Sequence, residues 1–303
     1  MASPPPPTSP PVPPYSRDTL VHCLTRFYTT LSDMGYIRPS SILYPPPSGW
    51  SDTRISANIL TLTGRNETVI DLVKHLPYLT KEYQVWPETE HLSYLDRVWD
   101  DPATVVDRIS QGGGLANIYP FMPFETALPG MICLTHGSAG VWWLIDTEAG
   151  LMWPNGSHWD VHAGPEDPPW MWYVPVGIEA FFDKVQKQLE ELEVVPMPGF
   201  ARARKSGVME NVEHHVFWAG EMEGKPVKKI FVECGWPDLE KFRKEECIER
   251  AGDERLRVAE RWAFTWYESD IKTAEKNGDA EDKERCERRL SKARREYALE
   301  WEE

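Results

Sequence analysis

Three features of this chain predict an α+β fold, a mainly antiparallel twisted sheet packed by helices and followed by a C-terminal helical extension. Residues 118–193 string apolar, strand-like runs through Gly-rich turns and close with one amphipathic helix. The connections between those runs are only a few residues long. Such links force antiparallel pairing, because parallel strands need a long crossover. Beyond Gly235-Trp236-Pro237-Asp238 the chain becomes strongly charged, with apolar residues at helical spacing.

The elements follow in order. Residues 1–15 form a Pro-rich tail, with eight prolines in the first fourteen positions. A segment with so little to bury adopts polyproline II or disorder. A domain is expected over residues 16–236. Its first helix starts near Ser16, runs through Leu20, Leu24, Phe27, Tyr28 and Leu31, and ends at Gly35. Asn66 is placed to cap a short helix whose buried face is Ile70, Val73 and Leu76, stopped by Pro77. Residues 83–86 and 92–94 read as short strands. Asp101-Pro102 opens another helix through Val105, Val106 and Ile109, ended by Gly112-Gly113-Gly114.

The strand block comes next. Residues 131–136 form one strand, Gly137 to Gly140 a turn, and residues 141–146 a second strand. Val141 to Ile145 is apolar without alternation, which marks a strand buried on both faces. Thr147-Glu148-Ala149-Gly150 turns into a third strand at Leu151-Met152-Trp153. Ile178, Phe181, Phe182, Val185, Leu189 and Leu192 mark the closing helix. Residues 227–233 read as a strand, and Asp238 as a cap for the helix after it. The region 237–303 reads as two charged helices broken at Asn277-Gly278. Val258, Trp262 and Trp266 are one apolar stripe, as are Ala259, Ala263, Tyr267 and Ile271. The second helix carries Cys286, Leu290, Ala293, Tyr297 and Trp301, with Glu281–Arg285 and Glu284–Arg288 as exposed i,i+4 pairs.

Composition narrows the function. With 303 residues, 41% hydrophobic and 27% charged, the chain is ordinary for a globular protein. A net charge of −15 disfavours nucleic acid, since a polyanion needs clustered Lys and Arg. The one compact basic run, Arg202, Arg204 and Lys205, lies in a Pro/Gly-flanked loop. Five widely spaced cysteines with no CxxC pair fit free thiols in a reducing compartment. No secretory signal is legible, and no apolar run approaches the length of a membrane span. A cytoplasmic location is expected, with the nucleus as the alternative.

The order of these parts resembles a known family. A helical N-terminus is followed by Ile118-Tyr119-Pro120-Phe121, the core strand at residues 141–146, the Thr147-Glu148-Ala149-Gly150 turn, and the helix opening Gly177-Ile178-Glu179-Ala180-Phe181-Phe182. This layout resembles the SUKH superfamily, which includes fungal cell-wall-synthesis regulators and bacterial toxin-immunity proteins. His75-Leu76-Pro77-Tyr78-Leu79 and Gly235-Trp236-Pro237-Asp238 are also similar to segments of a set of fungal proteins. The resemblance covers roughly residues 16–238, leaving the last helices outside. It implies a twisted sheet packed by helices and a role in binding other proteins. It brings no catalytic residues and no cofactor.

Several constellations contain residue types capable of chemistry. His158, Asp160 and His162 share one face if their segment is extended, and would suit zinc or a similar ion. That site is the basis of one alternative, a metal-dependent hydrolase. A loop with structural hydrogen bonds is the simpler account, because Gly156 and Gly164-Pro165 flank it. His136-Gly137-Ser138-Ala139-Gly140 resembles an oxyanion loop, but no G-x-S-x-G elbow accompanies it. His214 and His215 would point to opposite sides of a strand. Fourteen tryptophans are unusual, and Trp142, Trp143, Trp153, Trp159, Trp170 and Trp172 fall close together. Core packing accounts for most of them. Trp153, Trp159, Trp170 and Trp172 are the candidate partner-binding residues, since Trp anchors interfaces. A carbohydrate platform at Trp170 and Trp172 is the other alternative. The sequence thus favours a non-catalytic protein-interaction or regulatory module with a protein partner, no nucleic acid, no membrane, and self-association through the C-terminal helices.

Overall fold

The computed structural model describes residues 14–81, 83–96, 102–108, 128–136, 142–154, 171–203, 209–212, 215–220 and 224–301. The fold is α+β. Its described strands form small antiparallel sheets, and its C-terminus is helical. Two compact units are present. One comprises Met1–Thr30 and Arg38–Lys187, the other Leu31–Ile37 and Gln188–Glu303.

In the first unit, α1 (Arg17–Asp33) begins where Ser16 Oγ accepts the Thr19 amide at 3.2 Å. The predicted stripe Leu20, Leu24, Phe27 and Tyr28 is buried. After β1 (Ile42–Leu43) and α2 (Ala57–Leu62), Asn66 caps α3 (Glu67–His75) by accepting the Val69 amide at 3.0 Å. The buried face of α3 is Val69, Leu72 and Val73, and Ile70 is only half-buried. Strand β2 (Tyr78–Leu79) pairs with β1. β3 (Gln84–Trp86) pairs with β4, which is Thr89–His91 rather than the expected 92–94. α4 (Pro102–Arg108) buries Val105 and leaves Val106 exposed. Ile109 and the three glycines after it lie outside the described residues.

The expected single strand at 131–136 is two. β5 (Met131–Cys133) and β6 (Thr135–His136) belong to different sheets, because the chain bends at Leu134. The Trp143 amide donates to Thr135 Oγ1 at 2.9 Å, a side chain standing where a backbone carbonyl would, and Thr135 itself pairs with His91 of β4. β7 (Trp143–Asp146) is central between β5 and β8 (Leu151–Pro154), and β9 (Val176–Gly177) completes the order β5-β7-β8-β9. Trp143, Leu144 and Ile145 are all buried, so β7 is covered on both faces as its unbroken apolar run requires. Helix α5 (Ile178–Glu190) follows β9 directly. Trp143 is the hub of the core. Its ring centroid lies 5.0 Å from Phe181, 5.5 Å from Phe27, 6.0 Å from Trp86 and 6.2 Å from Phe182, mostly edge to face.

The outer edge of β5 is closed by side chains. The bonds Thr147 N to Gly130 O and Leu134 N to Trp143 O fix which residues face β7. By antiparallel alternation the Met131 and Cys133 carbonyls point away from it. Arg65 Nη1 donates to Met131 O at 2.7 Å and Tyr94 Oη donates to Cys133 O at 2.8 Å. An edge that would otherwise template another chain is thereby capped.

In the second unit, β10 (Val194–Met197) pairs with β13 (His215–Trp218), and β11 (Phe200–Ala203) with β12 (Met209–Val212). Residues 227–233, expected as a strand, lie in the helix α6 (Gly224–Glu233). The β-branched run suggested a strand. However, Val227, Phe231 and Cys234 are buried at helical spacing while Val232 is exposed, so burial follows the 3.6 period. Gly224 is required at its start, since a Cβ there would lie 2.3 Å from the Trp218 carbonyl oxygen. Asp238 does not cap the next helix. It sits in a turn accepting the Glu240 amide, and α7 (Lys244–Asn277) begins after Arg243. The boundary at Trp236 and Pro237 falls inside this unit, between α6 and α7.

Gly278 in the left-handed region caps α7, and Asp279 caps α8 (Ala280–Trp301) by accepting the Asp282 amide at 2.9 Å. Ion pairs Lys283–Glu275 and Arg294–Glu268, both 2.6 Å, make the two helices an antiparallel hairpin. Its buried residues include Ala274, Cys286 and Leu290, whereas Trp266 is 65% exposed. Arg288 pairs with Glu284 as expected, but Arg285 pairs with Asp282 instead of Glu281. No described helix is long and apolar enough to cross a membrane.

Candidate functional site

The residues singled out as partner-binding divide into two groups. Trp153 and Trp172 are described. Trp159 and Trp170, with His158, Asp160 and His162, lie outside the described residues, as does His214. Among the described residues no group of three or more His, Cys, Asp or Glu side chains is placed to hold a metal.

Trp153 is on β8 and Leu144 stands opposite it on β7. Strand alternation sets its direction. Met152 and Pro154 are buried, whereas Leu151 and Trp153 point to the other face and are half-buried. Trp172 lies just before β9 and is 44% exposed, with Val174 39% exposed two residues later. Both therefore belong to the β8–β9 end of the sheet, opposite the capped edge of β5. Large apolar side chains in the open at one end of a sheet mark a contact surface more often than isolated ones do.

A groove of about 290 Å³ borders the same edge. Gly150 and Gly177 lie along it, next to the Leu151–Gly177 pairing of β8 and β9. Its remaining walls are the starts of two helices, Ser16 and Thr19 of the α1 entry and Ile178, Glu179 and Asp183 of α5. Two glycines leave backbone accessible where any side chain would fill space. The rim is acidic. Asp183 is tied to Arg26 at 2.5 Å, and Glu179 is in the first turn of α5, where a carboxylate is favoured by the helix dipole. The surroundings suit an apolar side chain or an extended segment carrying positive charge. The sequence pattern identified Gly177 and Glu179 only as part of the closing helix. What makes them a groove is the start of α1 beside them, and no local signal carries that.

Three buried titratable groups of this unit, Arg65, His91 and Cys133, serve the core. Arg65 is buried, and its guanidinium donates to the carbonyls of Leu128 and Met131 at 2.7 Å and of Thr63 at 3.3 Å. Burial lowers its pKa from the usual guanidinium value. His91 is buried between Tyr28 and Tyr78, and its Nε2 accepts the Leu79 amide at 3.2 Å, which fixes the proton on the other nitrogen. Burial pushes the Cys133 thiol up to about 12, so it packs as a small apolar group. In the second unit His215 rests on Phe217 at 4.2 Å between ring centroids, with Arg255 over the other ring. Burial first, and the Arg255 charge second, bring its pKa down to about 4.

No protein-family model, no curated protein and no solved structure matches this chain.

Proposed function

We propose that this chain is a non-catalytic protein-interaction or regulatory module of the SUKH type, which takes a protein partner along its β8–β9 edge. The observation that carries the reading is the exposed Trp172 and Val174 leading into β9, together with a glycine-lined groove with acidic residues where β9 passes into α5. Trp supplies contact area at low entropic cost, and a half-exposed Trp at a strand edge is suited to anchoring a partner. The Glu179 carboxylate favours a partner segment with Lys or Arg next to its apolar residues. A cytoplasmic setting belongs to the same reading, because five buried free cysteines suit a reducing compartment.

The test uses the full chain as bait in a lysate, with Trp172→Ala and Val174→Asp as paired variants. Proteins captured by the wild type and lost by both variants, with both variants still folded, support the reading. An identical captured set from all three baits would overturn it.

A further inference from the structure

Two of the five cysteines are neighbours in space although thirteen positions apart in sequence. Cys234 follows the last turn of α6, and Cys247 is in the first turn of α7. The backbone brings them together. The Arg243 amide donates to Cys234 O at 2.9 Å, and the Cys247 amide donates to Arg243 O at 2.9 Å. Cys247 neighbours Cys234, and burial first, with that neighbour second, holds the Cys247 thiol well above the usual range. Cys234 Sγ in turn reaches Glu246 Oε1 at 4.0 Å and accepts from Arg250 Nη1 at 3.7 Å. Such a set provides a guanidinium to stabilise a thiolate and a second thiol beside the first. Both cysteines are buried, but only side chains separate them from solvent. Arg250, which touches Cys234, pairs with Glu233, and both line a groove of about 450 Å³ between α6 and α7.

We propose that Cys234 and Cys247 are a redox-active thiol pair, which a peroxide converts to an intramolecular disulfide. The Cys234 thiolate, its proton released to solvent, attacks one peroxide oxygen. The O–O bond breaks, sulfenic acid forms on Cys234, and hydroxide leaves to take up a proton as water. The Cys247 sulfur then attacks Cys234 Sγ, the S–O bond breaks, and the second water leaves as the S–S bond forms. Two thiols are oxidised and one hydrogen peroxide is reduced to two waters. The product staples the end of α6 to the start of α7. Cys23, Cys133 and Cys286 are buried elsewhere and serve as internal controls. The inference is independent of the partner reading, since it concerns α6 and α7 alone.

The experiment treats the reduced full chain with hydrogen peroxide, alkylates it under denaturing conditions, and maps it by non-reducing proteolysis and mass spectrometry. The expected result is a peptide joining Cys234 to Cys247, a fall in titratable thiols from five to three, and full recovery with dithiothreitol. In Cys247→Ser, with helical circular dichroism unchanged, oxidation stops at a Cys234 sulfenic acid that dimedone traps. Survival of all five thiols, or thiol loss spread over the solitary cysteines with no joined peptide, overturns the proposal. The wild-type map decides the matter even if the variant fails to fold.

Discussion

Replacing Arg65 by methionine tests how the outer edge of β5 is held. Two effects oppose each other. Burying a guanidinium costs several kcal/mol of lost hydration, and methionine removes that cost while filling similar space. Against it stand the carbonyls that Arg65 serves. The Leu128 carbonyl is next to a half-exposed side chain and can regain water. The Met131 carbonyl cannot, because Met131 is fully buried and its bond to Arg65 is in the interior. A buried carbonyl left without a donor costs about 1–3 kcal/mol, and hydrogen bonds from a charged donor are each worth about 1.5–3 kcal/mol. With the buried Met131 and Thr63 carbonyls orphaned and the Leu128 carbonyl rehydrated, the balance is a net loss of roughly 2–4 kcal/mol. Arg65→Lys is expected to fall between, since one ammonium is a point donor and cannot reproduce the planar fork. The assay is urea unfolding by circular dichroism, comparing midpoints at unchanged slope. A methionine variant as stable as the wild type would show that desolvation dominates and would refute the account of the edge.

Other expectations follow from the same geometry. Trp143→Ala empties the centre of the aromatic core and is expected to cost about 4 kcal/mol by denaturant unfolding; Trp143→Phe keeps a ring and, because the indole N–H meets no acceptor among the described residues, should lose less than half of that. Acid should weaken the second unit through His215. Its folded pKa of about 4 is below the unfolded value, so the unfolded chain takes up the proton first. The contribution is complete above about pH 6.5, declines as pH falls, and is gone below about 4, with a size near 2 kcal/mol after allowing for partial exposure. His215→Gln should flatten that part of the pH–stability profile, and equal slopes for both proteins would contradict it. Trp172→Ala should cost about 1–3 kcal/mol of stability, since more than half of the residue is covered. On a partner it should cost about 2 kcal/mol, roughly thirtyfold in affinity, if the exposed ~90 Å² of ring is buried in the complex.

The sequence was most informative where one local rule decided the structure. The unbroken apolar run through Trp143, Leu144 and Ile145 could only be a buried strand or a buried helix, and the Gly-rich turns beside it settled the choice. Asn66 and Gly278 did their capping as their residue types require. It failed where two rules conflicted. Val227 to Glu233 carries β-branched residues, yet its buried positions repeat at helical spacing, and tertiary burial prevailed over propensity. Leu134 looks like the middle of one strand because nothing in its neighbourhood reveals that Thr135 turns to pair with β4. The groove and the Cys234–Cys247 contact were illegible for a stronger reason. Each joins the ends of elements distant in the chain, and periodicity describes only one element at a time.

The asymmetry of the four-stranded sheet connects fold and function. A short sheet with two outer strands must protect both, since exposed backbone groups attract other chains. At β5 the protection is internal. The Arg65 guanidinium and the Tyr94 hydroxyl answer the outward carbonyls, at the cost of burying a cation. At β9 the neighbouring features are of another kind, namely the glycine positions 150 and 177, an acidic rim, and apolar side chains left in the open. Closing that edge by the same means would have been within reach of the fold, because α5 begins directly at its end. An edge lined by small residues and flanked by Trp172 is what the proposed partner-binding reading requires. This is why the Trp172 and Val174 variants, rather than changes in the core, are the substitutions that separate a binding surface from a packing defect.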